Sequence, residues 1–223
     1  MTNSYVGWMQ STVKFMFKLW VEIQIATKRW ILFTLKIGTI FILLMFFSSC
    51  SKPVTIYSID KAPLQSIKHS QYRNKTIKIA YPKSIKDMMS RDIVIKYAPN
   101  RQSIYAQSFW AENINRLAMS YITEVLESSA IFKTTINYSS YIKSDYLLEV
   151  YIHQMHHHIY ANDSDAILSI KLNLLNNQSY RLLKTKRFSY RIPTTTQDAQ
   201  GYINANQKAF NILQRDMINW IIE

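Results

Sequence analysis

The chain has 223 residues and a formal net charge of +13; it is 48% hydrophobic and 18% charged, with three glycines and one cysteine. That length accommodates one ordinary domain plus a targeting segment, and the apolar content excludes a disordered or low-complexity polymer. A single cysteine excludes an intramolecular disulfide framework.

The first predicted element is a targeting segment over residues 1–49. Lys28, Arg29 and Lys36 precede an apolar run from Ile37 to Phe47, and Ser48 and Ser49 lead to Cys50. A basic region, a short apolar core and small residues before a cut are the parts of a secretory signal. Extending the run back to Trp30 gives a marginal span, so an uncleaved membrane anchor is the alternative. Met9 and Met16 are alternative starts that would alter this segment alone. Phe47, Ser48, Ser49 and Cys50 resemble a bacterial lipobox, with phenylalanine where leucine is usual. That resemblance implies diacylglycerol on the Cys50 thiol and acylation of the new amino terminus. Several acyl chains give a stable anchor. By the same resemblance, Ser51, which is not aspartate, implies sorting to the outer membrane, with the inner membrane as the alternative.

After Cys50 the charge is 22 basic against 13 acidic residues, scattered except for the run Arg181 to Arg191. Nucleic acid is therefore not the expected partner, because counterion release needs a concentrated basic surface. On a strand this run puts Lys184 and Lys186 on one face and Thr185 and Arg187 on the other. It reads as an edge strand blunted by lysines, or as a contact for anionic phospholipid.

From residue 50 to 223 the pattern predicts one α+β domain, a largely antiparallel sheet packed against two amphipathic helices. Strands are expected at Val54–Ile59 and Thr76–Pro82, with a polar segment between them. A turn or short helix over Lys83–Ser90 leads into a hairpin from Asp92 to Ser108 that turns at Pro99 and Asn100. Apolar residues then recur at three and four, namely Ile114, Leu117, Ala118, Tyr121, Ile122, Val125 and Leu126. They predict a helix from Phe109 to Ser129 with Ser108 as N-cap and Glu112 near its first turn. Further strands follow at Phe132–Tyr138, Tyr146–Met155, Ala166–Leu175 and Arg181–Ile192. In them Leu148, Val150 and Ile152 share a face, as do Leu168, Ile170, Leu172 and Leu174. A closing helix from Asp198 to Ile221 carries the stripe Ala205, Ala209, Phe210, Leu213, Met217 and Trp220.

The chain now resembles a known family. Ile56, Tyr57 and Ile59 form one motif, followed by Tyr81 and Pro82; Asp92, Ile93 and Val94; and Trp110, Ala111 and Glu112. In that order they resemble the ABC-type transport auxiliary lipoproteins, the family that includes the lipoprotein of the paraquat-inducible Pqi system. The resemblance continues through "LLEVYIHQM" and the closing helix, and departs at Asn113, where proline is common. It implies a non-enzymatic periplasmic partner of an MCE-type lipid transporter. Such a protein would dock an MCE-domain conduit and ABC transporter subunits, would form a homo-oligomer, and would need no cofactor beyond the covalent lipid on Cys50. A structural or regulatory envelope lipoprotein that activates another membrane complex is the alternative, and a periplasmic protein that binds metal through a histidine cluster is a third reading.

Enzymatic motifs are absent from the sequence: there is no GxxxxGK phosphate loop and no GxSxG nucleophile elbow. Glu124 and Glu127 read as a solvated helix face. The one metal-like constellation is "HQMHHH", with His153, His156 and His158 as candidate ligands. In a regular strand, His156 and His158 would pair while His153 and His157 point the other way. The bland reading is a polar strand end. Tyr141 and Tyr160 are candidate interface anchors.

Overall fold

The structure, a computed structural model, describes residues 53–67, 69–85 and 89–223, together with Trp20, Trp30 and residues 33–36 and 38–39. Cys50 lies outside the described residues. The chain divides into two units, Met1–Lys52 and Pro53–Glu223. Among the described residues the second unit has nine strands and two helices. In chain order these are β1 (Thr55–Tyr57), β2 (Thr76–Ile79), β3 (Lys83–Ser84), β4 (Asp92–Ala98), β5 (Arg101–Trp110), α1 (Ile114–Ser129), β6 (Thr134–Ile136), β7 (Tyr146–Tyr160), β8 (Asp163–Asn176), β9 (Arg181–Pro193) and α2 (Ala199–Ile222).

β7 is the spine of a single sheet. One of its edges pairs antiparallel with β8 from Tyr146↔Asn176 to Tyr160↔Asp163, and β8 pairs antiparallel with β9. The other edge meets three short parallel partners in succession: β2 at Tyr146–Leu148, β3 at Tyr151–Ile152 and β4 at His157–His158. β5 returns antiparallel beside β4, β1 lies parallel outside β5, and β6 lies parallel outside β2. The long ladders are thus antiparallel and the parallel pairings are short. This is the expected α+β sheet with two helices.

One core lies between the sheet and the helices. Leu148, Val150, Ile152, Leu168, Ile170, Leu172 and Leu174 face it from β7 and β8, each almost fully buried. α1 presents Ile114, Leu117, Ala118, Tyr121, Ile122, Val125 and Leu126; α2 presents Ala205, Ala209, Phe210, Leu213, Met217 and Trp220. Both stripes are those read from the sequence, because an apolar face at helical spacing has to be covered by the sheet.

Several boundaries differ from expectation. Ser108 does not cap α1: β5 continues to Trp110, whose ring is buried, and the cap is Asn113, whose Oδ1 accepts from Arg116 N at 3.0 Å. Pairing with β4 and β1 outweighs the helical spacing of Phe109 and Trp110. Lys83 and Ser84 form a strand against Tyr151 and Ile152 instead of opening a turn. β7 runs five residues past Met155, to Tyr160, because β8 pairs with it to the turn. The segment between β1 and β2 contributes Tyr72 to the core, edge-on to Tyr146 at 5.2 Å and tilted against Phe132 at 5.3 Å.

α2 begins on an Asp198 cap that accepts from Gly201 N at 2.8 Å. A Cβ at Gly201 would run into the backbone carbonyl of Thr196, so this turn requires glycine. Three glutamines spaced by seven, Gln200, Gln207 and Gln214, strap the start of the domain to α2. Gln200 Oε1 accepts from the Tyr57 hydroxyl at 3.4 Å. Gln207 Oε1 accepts from Asp60 N at 3.0 Å, and its Nε2 donates to Asp60 O. Gln214 Nε2 donates to Ala62 O at 3.3 Å while its Oε1 accepts from the Tyr121 hydroxyl of α1, also at 3.3 Å.

Candidate functional site

The histidine cluster lies on the spine strand, and a bulge decides which way each imidazole points. Ile152 pairs with Ile170 and Gln154 with Ser169, so His153 is an extra residue without a partner on β8. A bulge shifts the alternation of the strand by one residue. Val150 and Ile152 face the core before it, and Met155 and His157 face the core after it. His153 therefore does not share a face with His157, contrary to regular strand spacing. His156 and His158 do share a face, with ring centroids 6.3 Å apart on the side of the sheet away from the helices.

His157 is fully buried. Its Nδ1 shares a 2.6 Å hydrogen bond with the Tyr105 hydroxyl, and its ring stacks on Tyr202 of α2 at 5.3 Å. Among the described residues His157 Nε2 and the Tyr202 hydroxyl have no hydrogen-bond partner. Burial lowers its pKa to about 4, against the opposing pull of Asp198 and Asp165. It is a neutral core residue at pH 7, and sequence reasoning placed it with the wrong neighbours because a bulge leaves no composition signal here.

On the opposite face His156 is 5% exposed, and its Nδ1 has no partner among the described residues. Burial lowers its pKa to about 4, assisted by the charges of Lys96 and Arg191. Arg191 Nη1 donates to Asp165 Oδ2 at 2.8 Å, and the Tyr160 hydroxyl donates to the same oxygen at 2.9 Å. His153 sits at the bulge with Nε2 3.1 Å from Arg187 Nη2; burial first, then Arg187 and Lys171, lowers its pKa. The metal candidates are thus accompanied by cations. Among the described residues no group of three or more histidine, cysteine or carboxylate side chains gathers as a metal would require.

Of the two candidate anchors, Tyr141 is fully exposed in the loop between β6 and β7, and Tyr160 is partly tied down by Asp165. Lys184 and Lys186 share a face, as expected, but have specific tasks. Lys184 Nζ donates to the carbonyls of Trp220 and Ile221 at 3.1 and 3.4 Å, closing the C-terminal end of α2, and Lys186 lies over the Phe188 ring at 5.3 Å. Thr185 bonds Asn173 on the other face.

The arrangement is a two-layer sheet and helix domain whose titratable residues are divided between a closed core and an open sheet face. The family model for the ABC-type transport auxiliary lipoprotein component matches residues 57–218, which spans the sheet and both helices. The chain belongs to this family. The family places it with lipoproteins of the cell envelope that accompany ABC transporters. Solved structures with a similar fold are distant in sequence. A crystal structure of protein XCC0632 from Xanthomonas campestris is similar at a TM-score of 0.67 and 16% identity, covering 75% of this chain and 95% of that one. A second crystal structure, of an uncharacterised protein, is similar at a TM-score of 0.59 and 13% identity, covering 76% and 99%. These likenesses show the fold. None of the curated proteins matches the chain in sequence.

Proposed function

We propose that this chain is a non-catalytic, lipid-anchored auxiliary component of an MCE-type ABC transporter for lipids. It is held at the periplasmic face of the outer membrane by acylated Cys50 and docks the MCE-domain conduit as a homo-oligomer. The observation that carries the reading is the family match over residues 57–218, beginning seven residues after the lipobox-like Cys50. Two residues, Ser51 and Lys52, separate that cysteine from the unit that starts at Pro53, so three Cα–Cα steps lie between them. Extended, they reach about 10 Å, which would keep the domain against its membrane. The non-catalytic reading is supported by the spine strand, where the sheet itself separates His157 from His156 and His158.

The test is intact mass of the membrane-extracted protein beside Cys50→Ala, followed by affinity capture from detergent. A species starting at Cys50 and heavier by acyl groups, absent in the variant, together with co-capture of MCE and ABC subunits, is the expected result. An unprocessed, unacylated wild type would overturn the anchor, and capture without either class of subunit would overturn the transporter assignment.

A further inference from the structure

The face of the sheet turned away from both helices contains a pocket of about 350 Å³ that the transport reading does not use. It lies where the end of β4 meets β7, β8 and β9, and it is lined by Lys96, Gln154, His156, His158, Ile167 and Arg191. We propose that this pocket binds a phosphate-type oxyanion, with Lys96 and Arg191 supplying charge and His156 and His158 supplying imidazole contacts.

Three features carry the assignment. First, the cations converge: Lys96 and Arg191 line one pocket together with His156 and His158. Cations brought together on a sheet face repel one another unless an anion joins them. Secondly, the acid that meets Arg191 is already committed. Asp165 is 3% exposed and accepts from both Arg191 and Tyr160 through Oδ2. Arg191 has five N–H donors, so the contact through Nη1 leaves others to meet a ligand. Lys96 Nζ has neither an ion pair nor a hydrogen bond among the described residues. Thirdly, His156 is a buried side chain with an unpartnered nitrogen, in a place where buried polar atoms are ordinarily satisfied.

The ligand chemistry follows. An ammonium, a guanidinium and two imidazoles suit an anion with several equivalent oxygens, and arginine matches phosphate geometry particularly well. The volume falls within the range of small-molecule sites and exceeds what a bare oxyanion needs. The phosphate could therefore be free or be the headgroup of a lipid. The same cations oppose a divalent metal.

The proposal is independent of the transporter assignment, since binding can be measured whatever affinity capture recovers. The full chain in non-ionic detergent is titrated calorimetrically with inorganic phosphate and, separately, with dihexanoylphosphatidylglycerol; Lys96→Gln and Lys96→Arg are run alongside. Saturable binding at one site per chain is expected. Lys96→Gln should weaken it about tenfold, as loss of one charge-assisted hydrogen bond does, and Lys96→Arg should restore most of it. Tighter binding of the short-chain lipid, with the same dependence on Lys96, identifies a headgroup; equal or weaker lipid binding identifies free phosphate. Absence of saturable binding by either probe, or binding unaltered in Lys96→Gln, overturns the site.

Discussion

At the scale of single residues, the most informative side chains are two histidines kept neutral on opposite faces of one strand. His156 and His157 have pKa values near 4 in the fold against an ordinary 6.5, with burial as the first cause of each. Between about pH 6.5 and pH 4 the unfolded chain therefore binds more protons than the folded one. By linkage, stability is full above that window and is lost as pH falls through it, at up to about 1.4 kcal/mol per pH unit for each histidine. Urea midpoints at pH 7 and pH 5 should separate accordingly, and His157→Phe should narrow the gap by removing one titrating group. An equal gap in the variant would mean that His157 does not titrate as its burial requires. Neither histidine could be assigned from the sequence, because the six-residue stretch from His153 to His158 fits a regular strand as readily as a bulged one. One extra residue separates the two readings, and it reverses the face of every side chain that follows.

At the scale of elements, both helices and the long strands were legible because each has an apolar face that must be covered. Leu168 to Leu174 alternate cleanly, and the stripes of α1 and α2 recur at three and four. What the pattern did not reveal is set by pairing. β3 is two residues long and exists through its ladder with β7, and β5 extends through Trp110 because β1 and β4 hold it. The cap then falls on Asn113, the residue at which the family motif departs from proline. Lys184 shows the same dependence on tertiary context. Its spacing marks only a face, whereas the fold brings Nζ to two carbonyls at the end of α2. A cation there satisfies orphan acceptors and opposes the helix dipole. Lys184→Met is expected to cost about 0.5–1 kcal/mol, read as a lower thermal midpoint, with fraying confined to the last turn of α2 in hydrogen exchange. Unchanged protection at Trp220 to Ile222 would remove the lysine from that role.

At the scale of the whole molecule, the second unit has its own core, from Tyr72 through Ile221, closed by both helices on one face of the sheet. A chain beginning at Pro53 is therefore expected to fold alone and to unfold in one cooperative step. Circular dichroism and fluorescence transitions that fail to coincide would show that the core needs residues from the first unit. Within this unit, the glutamine strap joins its opening segment to its closing helix. β1 is held to the sheet edge by three residue pairs, while Gln200, Gln207 and Gln214 grip Tyr57, Asp60 and Ala62 from α2. Tension entering at Pro53 would be shared between an edge strand and a helix lying across the sheet. The domain has the build of a moored object whose line is made fast at several points, and under pulling force the strap would set how far the first strand peels before the core is reached.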